Sequence, residues 1–186
     1  MELTVFERKG AEKSEITKIR AQGDIPAIIY ASGQKNENIF VKGSEFQAAL
    51  RRVKGGHLPT TIFTLQHGKK VLKTIVKDIQ YHSTTYQILH IDFMILQDKV
   101  LVDVSVPIEC IGAEDSPGVK LGGTLRQVIR WVKVRCLPKH IPSDFQISVS
   151  DLGIMNSKKL SDIAIPKEVR PLAVLSEVVV VISKRT

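Results

Sequence analysis

The sequence predicts a mainly β protein with a few short helices: a six-stranded β-barrel-like N-terminal domain followed by a second β-rich domain. Short runs of alternating apolar and polar residues dominate the 186 residues, and helical periodicity is rare. Six of these runs precede residue 96, enough to close a small barrel. The break Leu96-Gln97-Asp98-Lys99 then separates two apolar strands, so we expect domains at 1–95 and 96–186.

The elements of the first domain follow from alternation and from helix-end signals. Strands are predicted at 2–8, 25–30, 39–42, 60–65, 71–79 and 86–95. A short helix is predicted from Ser14, whose hydroxyl can cap its free amides, to Gln22. A second helix begins at Ser44 and ends at Arg51-Arg52, cations that suit its negative dipole end. His67-Gly68-Lys69 between two strands indicates a hairpin.

The second domain shows strand patterns separated by strong turn signals. A long strand at 100–111 carries Pro107, and the segment 114–118 is a turn. Gly122-Gly123 indicates a bend before an expected strand at 125–137. Further strands are predicted at 145–149 and 172–182.

Two neighbouring strands carry an unusual density of polar side chains. On the later strand alternate residues are apolar, so His90 and Asp92 share the opposite face. On the earlier strand we expect Ile75, Ile79 and Tyr81 to face inward and Asp78, Gln80 and His82 to face outward. Such a cluster on a rigid scaffold is typical of a recognition surface. Periodicity alone also permits the alternative of an ordinary solvated face of an antiparallel sheet.

The sequence argues against an enzyme or a metal protein. The chain lacks a serine or cysteine in an elbow motif that could serve as nucleophile beside a His90 and Asp92 acid–base pair. His82 and His90 lack zinc-ligand spacing, and Cys110 and Cys136 stand alone. We therefore expect no cofactor, no metal and no small-molecule substrate. The absence of a signal-peptide pattern or a membrane-spanning apolar run predicts a cytoplasmic protein without a membrane partner.

The charge balance favours an anionic partner, with nucleic acid ahead of membrane. The chain has 27 Lys and Arg against 19 Asp and Glu, a formal net charge of +8. Aromatic residues make up only 5%, so a duplex or structured RNA suits the chain better than extensive stacking on single-stranded bases. Trp131, between Arg130 and Lys133, is expected to cover the core rather than to stack on a base.

Three motifs together resemble the bacterial large-subunit ribosomal protein L-twenty-five family. They are the segment 19–30 (IRAQGDIPAIIY), the segment 78–82 (DIQYH) and the segment 90–93 (HIDF). The second half resembles the extra domain of the long two-domain form, the general stress protein CTC type, through Gly122-Gly123-Thr124-Leu125 and Cys136-Leu137-Pro138. The resemblance covers nearly the whole chain.

The resemblance implies a non-catalytic constituent of the large ribosomal subunit that binds 5S rRNA at its loop E region. Neighbouring large-subunit components would then be further partners. The positions it implies as RNA-binding are Arg8, Lys13, Lys18, Arg20, Tyr30, Gln80, His82, His90 and Asp92. An alternative is a stress-related adaptor that recruits a protein partner through the C-terminal domain.

This chain departs from the family pattern at several of these places. Thr17 and Lys18 stand where family members commonly carry two arginines, so we expect that contact to be weaker or differently made. Ala31 replaces an expected glycine, and Ser83 replaces an expected proline.

Overall fold

The computed structural model describes residues 1–8, 13–31, 33, 36–68 and 70–184. The chain divides into two units, Met1–Val100 and Leu101–Thr186. No helix in the described ranges combines the length and low charge needed to cross a lipid bilayer.

The first unit is a closed barrel in which the described strands follow the order β1-β3-β2-β6-β5-β4. Its strands are β1 (Glu2–Glu7), β2 (Ile25–Tyr30), β3 (Glu37–Val41), β4 (Ile62–His67), β5 (Lys70–Tyr81) and β6 (Ile88–Ile95). Its helices are α1 (Lys13–Ala21) and α2 (Gly43–Arg52), and a 3₁₀ turn spans Leu58–Thr60. The parallel pairing of β1 with β4 closes the barrel, and β2 pairs in parallel with β6. The predicted mainly β class with a six-stranded barrel is confirmed.

Alternation along the strands fills the barrel with apolar side chains. Phe63 on β4 and Phe93 on β6 are fully buried, and α2 inserts Phe46 between them. The three rings lie 6.1 to 6.4 Å apart between centroids, with edge or tilted contacts that aromatic pairs prefer. This aromatic contact fixes which face of each strand points inward.

Gly43 allows α2 to begin directly against the turn that follows α1. A Cβ atom at this position would overlap the carbonyl oxygen of Gly23 and approach the side chain of Ile25. Backbone oxygens cannot rotate away as a flexible side chain does, so the close approach requires glycine. The position of α2, and with it Phe46, depends on this contact.

The second unit consists of two sheets with orders β10-β7-β9-β12 and β11-β13-β8. The strands are β7 (Val102–Ile111), β8 (Thr124–Gln127), β9 (Trp131–Cys136), β10 (Phe145–Ser148), β11 (Ser157–Lys159), β12 (Arg170–Pro171) and β13 (Val178–Ser183). A short helix, α3 (Pro117–Lys120), follows β7, and 3₁₀ turns span Pro138–His140 and Leu160–Asp162. The core between the sheets includes Val134, Ile147 and Val180. The predicted second β-rich domain is confirmed.

The predicted bounds of two strands in this unit are wrong. The expected strand at 125–137 is two strands, β8 and β9, which belong to different sheets. The chain bends between them because the amides of Val128 and Ile129 both donate to the carbonyl oxygen of Val179. Of the expected strand at 172–182, only the end forms a strand, β13. Residues 172–177, which follow the two-residue strand β12, are turn and irregular structure.

The prediction that Trp131 covers the core is also wrong. Along β9, Val132, Val134 and Cys136 are buried, so alternation places Trp131 on the other face. Its side chain is 51% exposed.

We predict that Gly43→Ala destabilises the first unit by about 1–3 kcal/mol, the usual range for forcing an extra methyl into a packed site. Urea unfolding followed by circular dichroism would measure this change in the free energy of unfolding.

Gly55→Ala is the matched control, because a Cβ atom there would meet nothing within 4 Å. Equal stability of the two variants would contradict the close-approach explanation.

Candidate nucleic-acid interface

Strand pairing brings five polar side chains together on the outer surface of the barrel. Across the β5–β6 pair, Gln80 lies opposite His90, and Asp78 lies opposite Asp92. On the other side of β6, Asp92 is the register partner of Ile28 in β2, and Tyr30 ends that strand. We call Tyr30, Asp78, Gln80, His90 and Asp92 the polar face.

The hydrophobic core determines the outward direction of the polar face. Ile91 and Phe93 on β6 are fully buried, so His90 and Asp92 between and beside them point outward. Their side chains are 16% and 35% exposed, respectively, which leaves both within reach of a partner.

His90 and Asp92 are joined by a contact of 2.8 Å between Nδ1 and Oδ1. When Nδ1–H donates to this carboxylate, the neutral ring presents Nε2 as an acceptor, and the protonated ring presents it as a donor. The aspartate thus fixes the orientation of the imidazole, and its second oxygen is left to accept from another group.

An irregularity in β5 sets which side chains reach the polar face. The register shifts between Val76 and Asp78, so Val76 faces the core opposite Phe93 and Asp78 faces out opposite Asp92. The prediction that Ile75 faces the core together with Ile79 is wrong, because Ile75 pairs with Met94 on the other face. It is buried there, where the 3₁₀ turn packs against β5.

A second shift in β5, between Gln80 and Tyr81, overturns the expected inward direction of Tyr81. This ring is 50% exposed. In the hairpin that follows, Tyr86 is 79% exposed and has a left-handed backbone with φ of 55°. The sequence predicts neither Tyr81 nor Tyr86 as a site residue. The orientation of each ring depends on irregular backbone, which the alternation of apolar and polar residues cannot predict.

His82 uses one ring nitrogen to shape this hairpin. Its Nδ1 accepts from the amides of Thr84 and Thr85, at 3.3 and 3.2 Å. The proton of the neutral ring therefore lies on Nε2, which can donate to a partner. His82 is exposed but lies after β5, beyond the polar face.

Tyr30 is held as a neutral phenol beside two carboxylates. Burial, and then the negative charges of Asp92 and Asp78, raise the pKa of Tyr30 above its ordinary value. The hydroxyl remains a hydrogen-bond donor well above neutral pH. Tyr30 is therefore close enough to Asp92 and Asp78 for their negative charges to disfavour its ionised form.

Arg20 anchors α1 to the strand that carries His90. Its Nε and Nη2 donate to the carbonyl oxygen of Leu89 at 3.3 and 2.9 Å, although 69 residues separate the two positions. The guanidinium is exposed, so it combines a positioning role with access to solvent. Lys18 is exposed on the same helix, and the side chain of Lys13 lies outside the described residues.

Arg8 is buried without a compensating partner in the described part of the chain. It follows β1, is 8% exposed, and neither its Nε nor its Nη1 has a hydrogen-bond partner among the described residues. Its backbone amide donates to Asn38 at 3.0 Å, which places it next to β3 and one strand from β2. Two buried guanidinium nitrogens without hydrogen-bond partners are unfavourable and favour the approach of an anionic or acceptor group.

Comparison with known proteins gives matches over both units. The model of the ribosomal L25p family matches residues 3–93, and the model of the C-terminal domain of ribosomal protein TL5 matches residues 101–186. The chain is 46% identical over 185 residues to the large ribosomal subunit protein bL25 of Chlamydia trachomatis serovar L2, with complete coverage of both chains. It is similarly 44% and 43% identical to the proteins of that name from Chlamydia muridarum and Chlamydia pneumoniae, again over 185 residues and the full length of both chains.

We predict that Asp78→Asn stabilises the protein by about 0.5 kcal/mol, because like charges directly opposite each other on paired strands repel. Thermal unfolding at low and high salt would measure the gain, which should shrink as salt screens the pair.

Asp98→Asn is the control for the change in net charge, since Asp98 lies in the exposed turn after β6. Removing an acid from a chain of net charge +8 should not by itself stabilise it. An equal gain in both variants would contradict the opposed pair.

We predict that Asp92→Asn lowers the pKa of Tyr30 while leaving it above the ordinary tyrosine value, because burial is the largest cause of the shift. Ultraviolet titration of the phenolate in a Tyr81→Phe, Tyr86→Phe background isolates Tyr30, since the chain has three tyrosines. Asp98→Asn should leave the titration unchanged. An unchanged titration in Asp92→Asn would show that the two groups do not interact.

Proposed function

The chain belongs to the ribosomal L25p family and is a structural protein of the large ribosomal subunit in the cytoplasm, and we propose that it binds 5S rRNA there, at the loop E region, through the polar face. The observation that carries the proposal is the strand register that aligns Gln80 with His90 and Asp78 with Asp92 on the closed barrel. A site on paired strands is preformed, so little ordering is needed on binding.

The chemistry of the polar face suits base edges better than phosphates. Its two carboxylates, Asp78 and Asp92, repel phosphate but accept from base amino groups. Gln80 both donates and accepts, and Tyr30 stays a donor because its pKa is raised by burial and by these carboxylates. A-form RNA presents base edges and ribose 2′-hydroxyls in a wide, shallow minor groove, which side chains on the outer surface of the barrel can reach.

The cations of α1 and Arg8, which follows β1, supply the attraction to the backbone of the RNA. We assign Lys13 and Lys18 on α1 to phosphate contacts. Arg20 positions α1 through Leu89 and keeps its Nη1 for the RNA. Arg8, whose buried Nε and Nη1 have no hydrogen-bond partner among the described residues, takes an RNA acceptor as its partner. In this arrangement the cations fix position, and the polar face supplies specificity.

His82 contributes through Nε2 at the hairpin, since its Nδ1 is already engaged by two backbone amides. The second unit would lie against neighbouring large-subunit components. No motif in the described part of that unit favours the alternative role of an adaptor for a stress-related protein partner.

We predict that Gln80→Ala, His90→Ala and Asp92→Asn each weaken binding to a 5S rRNA loop E fragment by roughly 5- to 150-fold, the effect of losing about 1–3 kcal/mol of base contact. Because these groups do not neutralise phosphate, the salt dependence of affinity should stay the same. Lys18→Gln should instead reduce the slope of log K against log salt by about one. Fluorescence anisotropy of the labelled fragment across a salt series measures both quantities.

Gln66→Ala and Asp98→Asn are matched controls outside the polar face. Gln66 lies on β4 and bonds to Glu2, and Asp98 lies in the turn after β6. Equal losses in the controls, or equal affinity of the wild-type chain for loop E and for a scrambled duplex, would refute the proposal.

A further inference from the structure

The second unit displays a tryptophan among cations on the outward side of a sheet. On β9 the exposed residues are Trp131, Lys133 and Arg135, and they alternate with buried Val132 and Val134. Residues two apart on one strand face lie about 6.6 Å from each other, so these three side chains form a continuous row. We call this row, with Arg170 of β12, the tryptophan face.

The neighbouring strands extend the positive charge and leave the indole half exposed. Arg170 pairs with Arg135 across β9 and β12. On the other side Trp131 lies opposite Pro107 of β7, which is buried. The side chain of Trp131 is 51% exposed.

The charges of the tryptophan face are unevenly compensated. Arg135 donates from Nε and Nη2 to both carboxylate oxygens of Asp103, at 2.6 and 2.8 Å, so its charge is compensated. Neither Lys133 nor Arg170 forms an ion pair with any residue in the described ranges. An exposed aromatic ring thus lies at one end of the row, with Lys133 next to it and Arg170 further along, beside Arg135.

We propose that the tryptophan face binds a single-stranded segment of ribosomal RNA, with one unpaired base stacked on Trp131 and adjacent phosphates held by Lys133 and Arg170. A positive surface beside a flat aromatic ring is complementary to a polyanion that carries stacking bases. Membership of a ribosomal family places such strands near the protein. This interaction involves the second unit only, so it goes beyond the loop E interaction of the barrel.

The chain contains one tryptophan, so intrinsic tryptophan fluorescence reports on Trp131 alone. We would titrate the full-length protein with a short oligoadenylate after saturating it with unlabelled loop E fragment. Expected results are quenching of the indole and protection from acrylamide. Both should weaken with salt.

Variants identify the groups responsible. Lys133→Gln and Arg170→Gln should each weaken binding and reduce the salt slope by about one. Arg126→Gln, an exposed arginine on β8 in the other sheet, is the matched control and should change nothing. With labelled oligoadenylate, Trp131→Ala should lose affinity on the order of tenfold and Trp131→Phe less, because phenylalanine keeps a ring for stacking.

The proposal is overturned if oligoadenylate leaves both emission and acrylamide quenching unchanged, or if Arg126→Gln and Arg170→Gln behave alike. Equal protection by polyglutamate would also overturn it and would identify an acidic protein as the partner. Failure of loop E binding would not affect these readouts, because the tryptophan signal arises in the second unit.

Discussion

The packing of Phe93 against Phe63 and Phe46 inside the barrel decides where the side chains of the polar face lie. Both contacts of Phe93 are 6.4 Å between ring centroids, and all three rings are fully buried. Because side chains alternate along a strand, a buried Phe93 places Asp92 outside, and a buried Ile91 does the same for His90. A slip of β6 by one residue would exchange its two faces. The direction of the polar face and the stability of the hydrophobic core therefore depend on the same strand. Gly43, which lets α2 place Phe46 in that core, contributes to both.

Much of the fold could be predicted from alternation, and the failures occur where the chain leaves regular strand geometry without a glycine or proline to signal it. Val128 and Ile129 are apolar, so nothing in the sequence indicates that their amides turn toward Val179 and that the chain passes to another sheet there. The inward direction expected for Tyr81 is wrong because the register shifts after Gln80. Trp131 is a different case. The alternation with the apolar residues Val132 and Val134 predicts an outward direction for Trp131, and this spacing outweighs the usual preference of tryptophan for burial.

The candidate site was predictable in part for a related reason. The shared face of His90 and Asp92 depends only on spacing along one strand, which the sequence contains. The opposition of Asp78 to Asp92 depends on how two strands pair, including an irregular step, and the bond from Arg20 to Leu89 joins positions 69 residues apart. The burial of Nε and Nη1 of Arg8 without hydrogen-bond partners among the described residues is likewise a property of the assembled barrel. Sequence spacing identifies candidate residues, whereas tertiary pairing determines which charges meet.

The parallel pairing of β2 with β6 has a consequence for how the protein is made. These strands span residues 25–30 and 88–95, and a contact between such distant segments forms late because the intervening chain must first be closed into a loop. During translation β6 is the last barrel strand to leave the exit tunnel. The nascent chain therefore gains its closed barrel and its His90 and Asp92 pair in the same step. A truncated chain that ends before β6 would have neither, so an incomplete product would lack the polar face of the finished protein.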